Sequence, residues 1–316
     1  MAAFERAKSG IPQMDIALDN IRLGDNVVWR ISDLSEFRLF MEPYIRQALE
    51  DQRNIIYIRF ASHPPLIEDQ EGIHTYRVEL SHRFETFTVE IHNIIEQEGY
   101  DAFYVFDCLS ELQTAWATDL MMGNFFQVTC PFLFSLDTIA FFPLLRARHS
   151  ERAVAKIMNT TQLFLDVYSD EEHVYVRPEK VWNRESETML FPHLYDPSDG
   201  TFRPLTDGVE VSHFYKVMND RQGTGETQTS DAWDRFFNRM RLLMDNGQDV
   251  TEACHQMCRI MMSRDLQMRT LINEHFLPED YFHIRDRMVG TGLIGGKACG
   301  MLLARFPPKP NTIVTQ

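Results

Sequence analysis

Tyr100-Asp101-Ala102-Phe103-Tyr104-Val105-Phe106-Asp107-Cys108-Leu109-Ser110-Glu111-Leu112 is the stretch on which the fold turns. Phe103 to Phe106 are consecutive aromatic or β-branched residues, and Gly99 stands just before the segment. A short apolar run of this kind fits a strand buried on both faces of a parallel sheet. Asp107 ends the run, where the C-terminal edge of such a sheet presents a side chain to a crevice. Asp107 or Ser110 could equally cap the helix that follows.

Working outward, strands are expected at 26–31, 54–60 and 139–144, with a weaker run at 75–80. His63-Pro64-Pro65 closes the second of these, since Pro cannot continue a central ladder. Helices are expected at 35–52, 83–97, 109–124 (carrying Leu112, Trp116, Leu120 and Met121) and 147–161. On the first, Phe37, Phe40, Met41, Tyr44, Ile45 and Ala48 recur at spacings of three and four, and Ser32 or Asp33 can cap it. Residues 162–168 and 173–177 read as a hairpin across Ser169-Asp170-Glu171-Glu172, and 184–190 as one more antiparallel strand. This alternation predicts an α/β domain over residues 9–194, three-layered, with a mixed, mainly parallel sheet and antiparallel strands at one edge.

The composition then changes. Residues 195–230 are rich in Asp, Gly, Pro, Thr and Ser and read as a linker, in which 209–218 could hold a short element. Residues 231–286 read as a helical connector, with Ser230 or Asp231 as first cap and Trp233, Phe236, Phe237, Met240 and Leu243 on one face. Residues 287–316 are Gly-rich, then Pro-rich.

Several classes of function are excluded at this level. The net charge of −15, with no basic cluster denser than Arg146, Arg148 and Arg152, argues against a nucleic-acid backbone as partner. No apolar run reaches the roughly 20 residues of a membrane span. The first ten residues contain no apolar core of a signal peptide. Five cysteines without framework spacing point to reduced thiols and a cytoplasmic protein. Cys254 and Cys258 with His255 lack the second ligand pair of a zinc site and read as a buried thiol pair. The histidines are scattered, no Ser/His/Asp signature such as G-x-S-x-G is visible, and Glu68-Asp69-Gln70-Glu71 reads as a solvated loop.

Gly10-Ile11-Pro12-Gln13-Met14-Asp15, then Leu23-Gly24-Asp25-Asn26-Val27-Val28-Trp29, resembles the opening of the RecA/KaiC-like ATPase family. Tyr104 to Leu112 looks like that family's Walker B strand and the turn after it, and the resemblance covers about residues 9–192. It implies a RecA-like domain in which Asp107 would hold Mg²⁺. The family's phosphate loop is missing, because Ser32-Asp33-Leu34-Ser35-Glu36-Phe37 contains no Gly, no Lys and two acids. Phe60-Ala61-Ser62-His63 also lacks the acids that family members place there as catalytic bases. The implied domain is therefore degenerate, and Asp107 is a vestigial metal ligand.

Gly290-Thr291-Gly292-Leu293-Ile294-Gly295 satisfies G-x-G-x-x-G, but no βαβ unit follows it. Residues 289–303, with Gly295-Gly296-Lys297-Ala298 and then Gly300-Met301-Leu302-Leu303, resemble the opening of the ATP-grasp-like PEP/pyruvate-binding domain of phosphoenolpyruvate synthase and pyruvate phosphate dikinase. The resemblance implies that Gly295, Gly296 and Lys297 meet ATP phosphates. It also implies that residues 287–316 begin a truncated ATP-grasp-like domain, and that the chain is the N-terminal part of a phosphotransferase using ATP, Mg²⁺ and pyruvate or a related acceptor. The expected partners are the downstream catalytic domains of the same polypeptide, with a homo-oligomer as a further option. Two alternatives stay open: a stand-alone RecA-like interaction module without chemistry, and a noncanonical Mg-dependent ATPase using Asp107.

Overall fold

Alternating side chains decide which face of each strand meets which helix. Val27, Trp29 and Ile31 point into one cluster with Phe37, Phe40, Tyr44, Phe103, Val105 and Phe141. Their sequence neighbours turn the other way, where Phe106 stacks on Phe142 (4.5 Å between centroids) and meets Phe125 edge-on. Both faces of the central strands are therefore buried, as Phe103-Tyr104-Val105-Phe106 predicts. Each large side chain so buried contributes about 1.5–3 kcal/mol.

The computed structural model describes residues 5–79, 84–113, 119–146, 148–222, 232–245, 248–288 and 292–305. It divides into two units, residues 1–113 with 119–229, and residues 114–118 with 230–316. In the first unit the elements are β1 (Arg6–Ala7), α1 (Pro12–Leu18), β2 (Ile21–Arg22), β3 (Asn26–Ile31), α2 (Leu34–Glu50), β4 (Ile55–Arg59), β5 (Ile73–Arg77), α3 (Phe84–Glu98) and β6 (Phe103–Phe106). After a 3₁₀ turn (Leu109–Glu111) come α4 (Asp119–Ser135), β7 (Ile139–Leu145), α5 (Glu151–Thr160), β8 (Leu163–Ser169), β9 (Val174–Val181), β10 (His193–Asp196), β11 (Thr201–Pro204) and α6 (Gly208–Gln222).

A nine-stranded sheet runs β11-β10-β9-β8-β3-β7-β6-β4-β5. The six strands from β8 to β5 are mutually parallel, and β9, β10 and β11 are each antiparallel to their neighbours. Helix α2 lies on one face, with Trp29 stacked on Phe40 at 4.3 Å and Tyr44 on Phe141 at 3.9 Å. Helix α4 lies on the other, with Phe126 against Phe142 at 5.1 Å. This is the α/β class with a mixed, mainly parallel sheet.

Two local features explain how the N-terminal segment seats. Pro43 inside α2 leaves the Leu39 carbonyl without its helical donor, and the Tyr195 hydroxyl on β10 donates to that carbonyl at 3.3 Å. Gly10 has φ +85°, and a Cβ there would lie 2.1 Å from the Pro43 carbonyl oxygen, so only glycine fits the crossing.

The structure departs from the sequence reading at residues 184–222 and 109–124. Residues 184–190 form no strand, and residues 193–204 form a β-hairpin on the sheet instead of opening a linker. Asp196 to Gly200 is its turn: Gly200 takes φ +76° and its N–H donates to the Asp196 carbonyl at 2.9 Å. Residues 208–222 are the full helix α6, whose Phe214 packs edge-on against Tyr168 and Tyr175. The expected helix 109–124 is a 3₁₀ turn and then, from Asp119, α4. Trp116, Ala147, Gly223-Thr224-Gly225, Ser230, Asp231, Val289, Gly290, Thr291 and residues 306–316 lie outside the described residues.

The second unit is helical: α7 (Ala232–Asp245), α8 (Thr251–Met257), a π turn (Cys258–Met262), α9 (Leu266–His275), α10 (Pro278–Arg285) and α11 (Gly296–Arg305). Trp233, Phe237, Met257, Met261, Tyr281 and Phe282 are among its core residues. Asp265 caps α9 by accepting from the Met268 N–H at 2.9 Å. All five cysteines are free thiols, and Cys258 and Cys299 are buried. Among the described residues, no helix is long and apolar enough to cross a membrane.

Candidate functional site

Strand β3 passes the chain to β4 on one side of the sheet, and β7 passes it to β8 on the other. The C-terminal ends of β3, β7 and β8 therefore flank a switch point, the place where open α/β sheets bind ligands. Here that place is filled by the protein's own side chains. The Ser32 N–H donates to Glu36 Oε2 at 2.6 Å, and the Ser169 hydroxyl donates to Glu36 Oε1 at 2.5 Å. The Ser35 N–H donates to Asp33 Oδ1 at 2.7 Å, which makes Asp33 the N-cap. Glu36 is 3% exposed.

The N-terminus of α2 thus carries two carboxylates where a phosphate loop would offer free N–H groups. A helix terminus favours an anion by roughly 0.3–1 kcal/mol. Each like charge about 4 Å away opposes it by about 4 kcal/mol at an effective dielectric of about 20. The two carboxylates therefore oppose an anion at this helix N-terminus.

Beside this loop Arg30 on β3 makes a two-pronged ion pair with Asp166 on β8. Arg146, just after β7, lies 3.5 Å from the same carboxylate, with its guanidinium 3.9 Å from the centre of the Tyr168 ring. Arg146 also donates to the Val167 carbonyl at 2.8 Å and to the Arg30 carbonyl at 3.2 Å. The two cations are thereby committed to Asp166 and to the ends of the strands.

Asp107 stands at the C-terminal tip of β6, as its sequence position predicts, and is fully buried. Its Oδ1 accepts from the Tyr57 hydroxyl, and its Oδ2 accepts from Arg59 Nη1 at 2.5 Å and from the Phe60 and Ala61 N–H groups at 2.9 Å each. Burial first, and the Asp107 charge second, push the Tyr57 hydroxyl well above its ordinary range. Of the stretch Phe60-Ala61-Ser62-His63, the first two residues thus donate their N–H groups to Asp107. A Mg²⁺ here would have to displace these donors and lie against the Arg59 cation, at about 4 kcal/mol per unit charge.

Sequence reasoning missed a third cluster. Ser110 Oγ lies 2.7 Å from His149 Nε2, and His149 Nδ1 lies 3.3 Å from Asp119 Oδ1. Asp119 Oδ2 accepts from the Ser150 N–H at 2.7 Å, and Ser110 Oγ accepts from the Leu145 N–H at 2.8 Å. All three side chains are buried. The order Ser–His–Asp is that of a catalytic triad. All three groups are shut away from solvent, and Ser110 and Asp119 also accept the Leu145 and Ser150 N–H groups, so the contacts tie together the exits of β6 and β7 as a latch. Ser110→Ala strands the Leu145 N–H; urea unfolding is expected to show a loss of about 1–3 kcal/mol. A change below a few tenths would contradict the latch.

Gly295, Gly296 and Lys297 lie in the helical unit, Gly295 just before α11 and the other two in its first turn. All three are exposed, and a Cβ added at Gly295 or Gly296 would meet nothing within 4 Å. Internal packing does not require glycine there, so the backbone stays open to close approach by a ligand. The Ile294 N–H donates to the Met261 carbonyl at 2.9 Å, which ties the loop to its own core. Asp107 and Lys297 belong to different units. Comparisons with protein-family models and with curated proteins return no match for this chain.

Proposed function

We propose that the α/β unit is a degenerate RecA/KaiC-like docking or regulatory region of a phosphoenolpyruvate-synthase-like phosphotransferase, and is itself not catalytic. The observation that carries this reading is Glu36, whose buried carboxylate holds the Ser32 N–H at the mouth of α2. The saturation of Asp107 by Tyr57, Arg59, Phe60 and Ala61 supports it from the other half of the would-be nucleotide site. The central position of β3 and the acid at the tip of β6 support descent from a nucleotide-binding sheet.

In the same reading Gly295, Gly296 and Lys297 open the ATP-binding domain, with Lys297 pairing to phosphate and the N-terminus of α11 adding its dipole. ATP and Mg²⁺ are the cofactors of the whole protein, and pyruvate or a related acid is the acceptor. The test is ATP-dependent phosphorylation of pyruvate by the parent polypeptide. Lys297→Ala is expected to lower the rate by at least about a hundredfold, the scale of losing one charge-stabilising donor. A Lys297→Ala protein with unchanged rate, or a parent polypeptide with no phosphotransferase activity, would refute the assignment.

A further inference from the structure

The turn between β8 and β9 brings two metal-binding side chains together, and α6 adds a third. Asp170 and His173 come from the hairpin, and His213 projects from α6 beside them. One ligand atom from each, a carboxylate oxygen and two imidazole nitrogens, all lie within 4.8 Å of one another. Among the described residues it is the one such group of three.

The local framework is firm. Asp170 Oδ1 accepts from the N–H groups of Glu172 at 2.9 Å and His173 at 2.7 Å, which closes the turn. Helix α6 is held against the sheet by Phe214, 5.7 Å from Tyr168 and 5.5 Å from Tyr175 between ring centroids. The His173 ring stacks on Tyr175 at an interplanar angle of 24°. These contacts fix both the hairpin and the helix turn that carries His213.

His213 Nε2 lies 2.7 Å from Asp170 Oδ2, and His173 Nδ1 lies 3.4 Å from Asp170 Oδ1. In a tetrahedral zinc site, bonds of about 2.0–2.1 Å set neighbouring ligand atoms about 3.3 Å apart. The His173–Asp170 pair already has that spacing, and His213 lies closer still. The second observation is that His173 Nδ1 is buried without a hydrogen-bond partner of its own. A buried imidazole nitrogen facing a carboxylate and a second imidazole lacks the ligand that would satisfy it. The side chains keep 26% to 46% of their surface, so an ion and a water can reach the group.

We propose that Asp170, His173 and His213 bind one divalent transition-metal ion of the zinc class, which clips α6 to the β8–β9 hairpin. Two imidazoles and one carboxylate leave at least one coordination position for water.

The test is calorimetric titration of the apo chain with Zn²⁺ alone, repeated with Co²⁺ for its visible spectrum. The expected result is one Zn²⁺ per chain, with affinity at least about tenfold weaker in both His173→Ala and His213→Ala, and a Co²⁺ adduct without a thiolate charge-transfer band. Far-UV circular dichroism checks that each variant is folded, and His213→Gln serves if His213→Ala is not. Unchanged affinity in the folded histidine variants, a thiolate band, or only weak adventitious binding would overturn the proposal.

Discussion

Asp107→Ala is expected to lower the unfolding free energy by about 3–5 kcal/mol, the cost of leaving one partner of a buried ion pair uncompensated. The substitution removes the acceptor for Tyr57, Arg59 and two backbone N–H groups at once. Arg59 bears most of the cost: its side chain is only 18% exposed, and the His63 carbonyl is its remaining partner. Urea denaturation of the wild-type and variant chains measures the difference. A metal-binding acid without structural duties behaves oppositely, because removing it relieves repulsion and leaves stability equal or higher. A loss under about 1 kcal/mol would therefore contradict the role given to Asp107 as a tie between β6 and the end of β4.

His193 should impose an acid limb on stability. It opens β10, is fully buried, stacks on Phe202 at 4.7 Å, and neither ring nitrogen has a hydrogen bond of normal geometry. Burial pulls its pKa from 6.5 down to about 4, only partly opposed by the Phe191 backbone. Above the unfolded value both states are neutral, and the contribution is fully present. As pH falls from about 6.5 to about 4 the unfolded chain takes up a proton that the native state refuses, so stability is lost. A shift of this size corresponds to roughly 3 kcal/mol. Asp25 runs the other way over nearly the same range, since burial raises its carboxyl to about 6 with Arg184 opposing. The difference between wild type and His193→Phe isolates the histidine. The variant is expected to lose markedly less stability than the wild type between pH 7 and pH 5, and parallel profiles would refute this.

Much of the architecture was legible because local pattern and tertiary burial agree. Phe103-Tyr104-Val105-Phe106 has no polar face, which only a doubly covered strand tolerates. Asp33 was readable as a cap because it precedes an apolar helical pattern, and it accepts the Ser35 N–H at the helix start. The β10–β11 hairpin was hidden because Asp196-Pro197-Ser198-Asp199-Gly200 suits a linker and a tight turn equally well. Pairing with β9 decides between them, and that is a long-range fact. Glu36 was visible as an acid hostile to phosphate, but its closure of the loop depends on Ser169, far along the chain. Ser110, His149 and Asp119 come from three separate segments, so no spacing announces them.

Under the proposed function, the carboxylates of Asp33 and Glu36 close the mouth of α2 to nucleotide and Lys297 meets phosphate in the helical unit. Hydrogen–deuterium exchange of the chain with and without Mg-ATP tests it most directly. The account predicts slowed exchange confined to residues 292–300, with residues 31–37 and 103–111 unchanged at saturating nucleotide. Slowed exchange at 31–37 and 103–111, with 292–300 unaffected, would contradict it.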